Sequence, residues 1–464
     1  MGFAPLKALS ALFDRSARRQ ANVAQRSYDG GGSGRRWVGF ADQPSAASAA
    51  LASAGTLARR ARGLVANNAH AASAAEAWVS ALVGTGLKVQ SSRTGLAEEF
   101  EAWTDDADAD ELTDLYGQQA GAARSMVING EAFALMLPDG RIRLLDPEQV
   151  DRNITQNAGS GKVVQGVEFD ATGRRIAYHI RRDQPGMPFP VSYETLRVPA
   201  AQVLHMFKPL FPGQVRGISW FAPVLLRIAD YDRSIDAQLQ RQLVASLFAG
   251  FVTEPNGTPP FDGEQSGVLL QASLEPGTLQ VLRPGQGVAF SEPAPIGAEA
   301  IAFLKITRDE IAAGLGIPAH VLSGDLTQAN YSSLRAGLVE WRRRVEAIQH
   351  GVVAFQFCRP IWRNWLLLRA LSGAPDMPGY FRDQRPYEAA RWITPRFDWV
   401  DPLKDAEAEI AAIGAGLISR RQAVAARGED IERLDAEIAA DNARASALGL
   451  NFEQRPRQTE RLPA

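Results

Sequence analysis

The chain has 464 residues, 45% of them hydrophobic and 22% charged, an ordinary globular composition too long for one simple core. A net charge of −2 does not mark a nucleic-acid binder, and the one cysteine, Cys358, excludes an intrachain disulfide. No apolar run approaches the ~20 residues of a membrane helix, and MGFAPLKALSALFDRSARRQ puts its charge after its apolar stretch, the reverse of a secretory signal; a soluble protein assembled inside a cell is expected.

Charge is uneven along the chain. Residues 1–63 carry ten Lys/Arg against Asp14, Asp29 and Asp42, whereas residues 401–441 carry ten Asp/Glu against five Lys/Arg. Residues 1–60, Ala/Ser-rich and Gly-rich with GGGSG at 30–34, read as an arm that needs a partner surface to be ordered. Residues 61–83 read as a helix stopped by Gly84 and Gly86, and a second helical pattern covers 96–127. MVINGEAFALML predicts a hairpin turning at Asn129-Gly130. A turn at Pro138-Asp139-Gly140 precedes RIRLLDP, and GVEFDATGRRIAYHI predicts a further hairpin, so residues 125–205 are mainly β.

From Ile218 the period changes. Phe221, Leu225, Ile228, Ile235, Leu239, Leu243 and Leu247 share one stripe of a helix of roughly 30 residues, with Arg227, Asp230, Arg233 and Asp236 on its charged face. Seven prolines in residues 251–297 exclude a long helix and predict a β-rich insert. A helical pattern resumes at 298–316 and stops at Gly316-Ile317-Pro318. The polar loop GDLTQANYSSLR follows, and Asn330 or Ser332 offers a cap for the next helix. Leu334, Leu338, Trp341, Val345, Ile348, Val352 and Phe355, continued past Pro360 by Trp362 and Leu366, then predict one helix of about 38 residues, kinked near Pro360 because proline removes a helix hydrogen bond. Residues 373–400 read as loop and strand, and residues 401–448 as helix broken at Gly414-Ala415-Gly416 and Gly428.

Spacings that carry chemistry are missing. NAGSGKVV fails the phosphate-loop pattern, with Gln156 and Val163 where Gly and Ser/Thr are required. DADADE fails as a calcium loop, with Glu111 at the Gly position, and reads as a solvated acidic helix start. The histidines His70, His179, His205, His320 and His350 have no metal-ligand spacing, and GISWF is not a nucleophile elbow. No enzyme activity, cofactor or metal is expected.

Five segments carry a resemblance: RGLVANN, VGTGLKVQ (83–90), INGEAF (128–133), HMFKPLFPGQVRGISWFAPVL (205–225) and GIPAHVLSGDLTQANYSSLRAGLVEWRR (316–343). With WVDPLKDAEAEIAAIGAGLISRRQAVAARG (399–428) in the same order, the chain resembles the lambda-type family of bacteriophage portal proteins over nearly its whole length. That resemblance implies an α+β portal fold assembled as a ring, usually of twelve subunits, at one capsid vertex of the virion. It implies an N-terminal arm at 1–60 and a wing at 61–217, whose second part, with the kinked long helix, is 334–400. Stem helices fall at 218–250 and 298–317, the clip at 251–297, the tunnel loop at 318–333, a helical crown at 401–450 and a tail at 451–464.

The implied function is a channel for genome packaging and ejection, and a docking ring for the terminase large subunit and the head-tail adaptor, seated in the major capsid protein or scaffold. Double-stranded DNA would pass without sequence specificity, with no membrane partner, after assembly in the bacterial host cytoplasm. Alternatives are the portal of a domesticated gene-transfer particle, another capsid-associated structural protein, or a DNA-processing enzyme. The implied channel-facing residues are Ser323, Asp325, Thr327, Gln328, Asn330 and Tyr331. A loop with no Lys or Arg at 320–331 suits passage, since every neutralised phosphate adds salt-dependent grip. The charged stem face, Arg227, Asp230, Arg233 and Asp236, is the candidate subunit interface, because a cyclic ring needs two different complementary surfaces. Arg335 is expected to pair with a carboxylate rather than DNA.

Overall fold

The computed structural model describes residues 45–91, 93–183, 194–246, 250–253, 287–290, 297–327, 331–395, 402–427 and 429–450. The chain divides into two units, Met1–Ala49 and Ala50–Ala464, and only residues 45–49 of the first are described. The expectations for the Gly-rich arm, most of the clip and the tail lie outside the described residues, as do Leu247 and Gly428.

Helix α1 (Ala46–Asn67) starts well before residue 61, on an Ala-rich run of high helix propensity. Asn68 then divides what reads as one helix. Its backbone is extended and its side chain accepts from the Ala71 N–H, capping α2 (Ala69–Leu82). Strand β1 (Lys88–Ser91) and helix α3 (Thr94–Thr104) follow. The acidic run after α3 is not a helix start. Asp108 is buried, and its carboxylate accepts from the N–H groups of Asp110, Leu112 and Thr113 and from the Gln118 amide. Asp114 instead caps α4 (Leu115–Asn129).

Asn129-Gly130 is likewise a helix stop and not a hairpin turn. Gly130 takes the left-handed conformation (φ 93°) that closes α4. The hairpin comes next: β2 (Glu131–Met136) pairs with β3 (Ile142–Leu145) across the Pro138-Asp139-Gly140 turn. Strands β4 (Gln156–Ala158), β5 (Gly161–Val164), β6 (Val167–Phe169), β7 (Arg175–Arg181) and β8 (Thr195–Pro199) form an antiparallel meander. NAGSGKVV is the β4–β5 hairpin. Strand β9 (Val203–Phe207) returns to the other edge of β2, giving the order β3-β2-β9. Phe133, Val150, Val167, Tyr178 and Val203 fill the core between the two sheets.

Helix α5 (Leu225–Ser246) begins at Leu225 rather than near Ile218, because turns around Pro223 occupy the residues before it. Strands β10 (Gly250–Thr253) and β11 (Gly287–Phe290) pair antiparallel, and α6 (Ala298–Leu315) follows. Helices α5 and α6 run antiparallel: Arg227 meets Glu310, and Val224 lies where a side chain at Gly314 would be. Gly316 (φ 72°) caps α6, and α7 (Ala319–Ser323) is a single short turn.

Helix α8 (Tyr331–Ile348) continues into a π-helical stretch, Gln349–Cys358, and then α9 (Arg359–Leu371). In place of an isolated kink at Pro360, the winding itself changes. Proline has no N–H and its ring crowds the carbonyl one α-turn back, so the wider π turns sit directly before it. The wider winding also interrupts the apolar stripe. Val352, Trp362 and Leu366 of the expected stripe are buried but Phe355 is 59% exposed, and Phe357, Cys358 and Ile361 join the inner face. There Trp362 stacks on Trp365 and meets Phe100 edge-on. A short helix α10 (Arg385–Glu388) precedes β12 (Ala390–Ile393), which pairs with β1. Helices α11 (Pro402–Gly414), α12 (Arg420–Ala426) and α13 (Ile431–Ala447) are the last elements among the described residues.

Candidate functional site: helix pair, polar loop and the joint that holds them

Among the described residues, the α5–α6 pair buries its apolar side chains mainly at the end near Phe221 and Leu315. Phe221, Ile228 and Tyr231 pack with Ile311, Ala312 and Leu315. Further along, Leu239 is 53% exposed, Leu243 51%, Phe303 63% and Ile306 67%. Two helices lying side by side cover one strip of each other, and the remaining apolar surface is exposed. The charged candidates stand as follows. Arg227 is 3.6 Å from Glu310 of the partner stem helix, Arg233 is 3.7 Å from Asp230 one turn earlier, and Asp236 is exposed.

The polar loop is stitched by its own side chains. Ser323 Oγ donates to Ala319 O (2.9 Å) and accepts from the Asp325 N–H (3.2 Å). Asp325 Oδ1 accepts from the Thr327 N–H (3.0 Å) and hydroxyl (2.6 Å), which holds its carboxyl below the usual range. The Thr327 hydroxyl thus turns back onto Asp325 instead of standing free. Gln328 and Asn330 lie outside the described residues, as does the side chain of Tyr331, the first residue of α8. Because α8 starts at Tyr331, Ser332 is inside the helix and cannot be its N-cap. Arg335 pairs with a carboxylate, Asp405 of α11, at 2.9 Å.

A buried charge cluster at the segment that leads into α5 had no readable spacing. Glu131, fully buried at the start of β2, accepts from Arg216 Nη2 (2.6 Å), Arg152 Nη2 (2.6 Å) and the Gly217 N–H (2.9 Å), with His205 Nε2 at 3.2 Å. Arg216 also donates to Pro147 O and Gln165 O. Burial alone would raise the Glu131 pKa, but the Arg216 and Arg152 guanidiniums and the His205 hydrogen bond hold it far below the carboxylate range. Burial pushes His205 down to about 4, so its imidazole is neutral. Two segments of the resemblance, INGEAF and HMFKPLFPGQVRGISW, therefore meet at one carboxylate. The signal was an acid opening an alternating apolar strand; its partner lies 85 residues away.

Close backbone contact completes the joint. A Cβ on Gly217 would lie 2.0 Å from Gly130 O, and one on Gly130 would lie 2.2 Å from the Ile218 carbonyl carbon. Beyond it, Trp78 Nε1 donates to Leu315 O, tying α2 to the end of α6, and Gln349 donates to Ala81 O and Leu82 O. Among the described residues no group of three or more His, Cys, Asp or Glu is arranged to hold a metal, and no helix is long and apolar enough to cross a membrane.

The family model described as "Phage portal protein, lambda family" matches residues 33–349. A probable portal protein of Halomonas phage phiHAP-1 is 25% identical over 319 residues, covering 67% of this chain and 61% of that protein, under two thirds of its length. The portal protein of Escherichia phage N15 and portal protein B of Escherichia phage lambda are each 24% identical, covering 91% of this chain and 91% and 90% of theirs. A chain from the neck of a native gene transfer agent particle aligns at TM-score 0.45 and 15% identity, over 80% of this chain and 91% of that one. An HK97-family phage portal protein from Corynebacterium diphtheriae aligns at TM-score 0.31 and 13% identity, over 75% of this chain and 96% of that one.

Proposed function

Because the chain belongs to the lambda family of phage portal proteins, we propose that it forms a closed ring at one vertex of the capsid, most often of twelve subunits, through which double-stranded DNA enters and leaves. The observation that carries the ring is the stem: an antiparallel helix pair whose outer half keeps Leu239, Leu243, Phe303 and Ile306 exposed. An apolar face of this kind marks an association surface. A head-to-tail ring would cover it with the neighbouring stem, and Arg227, Asp230, Arg233 and Asp236 would line the rim of that contact.

The channel role rests on the polar loop at 318–333. Its described acid, Asp325, bonds Thr327 within the loop and faces Arg308 of α6, and the loop itself carries no Lys or Arg that would hold a phosphate. The clip at 251–297 would dock the terminase large subunit during packaging and the head-tail adaptor afterwards, and the wing would meet the major capsid protein or scaffold. The protein would act as a conduit and docking ring in the virion, assembled in the bacterial host cytoplasm, with the motor's ATPase on a separate chain.

Native mass spectrometry tests the ring. The expected result is a single closed oligomer of about twelve subunits; only monomer or dimer at high concentration would overturn it. Replacing residues 251–297 by a short Gly/Ser linker should leave the rest of the fold intact and abolish terminase and adaptor binding. Unchanged binding of both would refute the clip assignment.

A further inference from the structure

We propose that Arg308 is a phosphodiester-binding residue held in reserve, and that Asp325 is the built-in carboxylate that masks it. The proposal rests on the reading that the 318–333 loop faces the channel, and it adds to that reading a specific cation and its regulator.

Arg308 lies on α6, and its side chain is 18% exposed. Its Nη2 is 3.4 Å from Asp325 Oδ2, longer than the ~2.7–2.9 Å of a good charge-assisted hydrogen bond. Its Nε is buried and has no hydrogen-bond partner among the described residues. Nε and Nη2 form the edge of a guanidinium that grips a carboxylate or phosphate with two parallel bonds. Here that edge is used once, and weakly. Asp325 cannot complete the fork, because its other oxygen is committed to the Thr327 N–H and hydroxyl.

The two residues line a cleft of about 360 Å³ together with Lys305, Asp309, His320 and Ser323. Lys305 precedes Arg308 by three residues, so both cations lie on one side of α6. Asp309 and Asp325 offset Lys305 and Arg308. Burial lowers the His320 pKa, so the imidazole adds no fixed charge at neutral pH. With Asp325 in place the cleft exerts no net pull on a polyanion, as a sliding duplex requires. With the Asp325 charge removed, the Arg308 guanidinium loses its carboxylate partner at Nη2, and its charge, with that of Lys305, is left to attract a backbone phosphate.

The experiment measures binding of a fluorescent DNA duplex to purified rings by anisotropy, across about 50 to 200 mM salt, where phosphate contacts set the slope. Negative-stain images check each ring for its central hole. Asp325→Asn keeps the size and the Thr327 contacts but removes the charge. It should tighten binding several-fold at low salt and steepen the log–log salt slope by about 0.9 for each phosphate newly engaged. Asp325→Asn combined with Arg308→Gln should return to the wild-type slope, and Arg308→Gln alone should bind as wild type. Unchanged binding in Asp325→Asn rings with intact holes would overturn the masking of Arg308 and leave the channel reading standing. So would a gain that survives in the double variant. A ring structure with this loop away from the channel would overturn both.

Discussion

Arg216 closes on Glu131 with its guanidinium edge, Nη2 2.6 Å from Oε1 and Nε 2.9 Å from both carboxylate oxygens, and both side chains are buried. The pair joins the first strand of the three-stranded sheet to the segment that leads into the stem, and Gly217 adds its backbone N–H to the same carboxylate. Removing one partner of a buried pair leaves an uncompensated charge, which costs about 3–5 kcal/mol. Glu131→Gln should therefore destabilise the subunit by about that amount in urea unfolding. A loss below about 1 kcal/mol, the range of exposed pairs, would show that the carboxylate does not hold the joint.

His205 gives the joint a pH dependence of defined sign. Its folded pKa is lowered to about 4 from an ordinary 6.5, first by burial, with Glu131 opposing the shift and Arg175 and Arg216 adding to it. The unfolded chain thus binds the extra proton between those values, and stability falls as pH drops from about 6.5 towards 4. Glu131, whose folded pKa is depressed, adds loss in the same direction below the ordinary carboxylate range. His70 and His320, also lowered, add to the same slope, so the comparison must be with a variant. His205→Gln should show a flatter fall in unfolding midpoint between pH 7 and pH 5 than wild type. Equal slopes would mean that His205 is not buried neutral.

Gly217 and Gly130 are set by close backbone approach. A side chain at either would meet backbone atoms, at 2.0 Å from Gly130 O and 2.2 Å from the Ile218 carbonyl carbon. Gly217→Ala should cost more than about 3 kcal/mol or prevent soluble expression, because backbone cannot yield as a flexible side chain can. Gly213→Ala is the control: φ is 78° but nothing lies within 4 Å, so the left-handed strain alone, about 1–2 kcal/mol, should appear. Equal effects at both positions would contradict the packing described.

Much of the architecture was legible where a local signal has one physical reading. The Gly316-Ile317-Pro318 stop, the Pro138-Asp139-Gly140 turn and the break at Gly414-Ala415-Gly416 all follow from residues that force or forbid a backbone conformation. Asn129-Gly130 shows the limit. A left-handed glycine serves a hairpin turn and a helix cap equally, and only the helix before it decides. Phe355 shows another: the stripe counted at the α period holds at Val352, Trp362 and Leu366 but loses Phe355 inside the π turns, and no residue before Pro360 announces the change. The Glu131 cluster was illegible because its members, Glu131, Arg152, His205 and Arg216, come from four separate parts of the chain. Arg335 was read correctly as a partner for a carboxylate, although Asp405 lies 70 residues on.

The outer stem supplies a prediction that separates folding from assembly. Leu239 and Ile306 are 53% and 67% exposed in the subunit, so replacing them costs it little. Leu239→Glu with Ile306→Glu should change the unfolding free energy by no more than about 0.5 kcal/mol each, as for ordinary surface substitutions. The same variant should sediment as monomer where wild type sediments as a ring. A ring that assembles normally with both glutamates would place the subunit interface elsewhere.

A cryo-EM reconstruction of the purified protein, viewed down its symmetry axis, tests the portal reading most directly. The expected result is a closed ring with a central channel, stem helices of neighbouring subunits in contact over Leu239 and Ile306, and residues 318–333 at the narrowest point. A monomer or an open filament, or a closed ring with that loop on its outer surface, would contradict it.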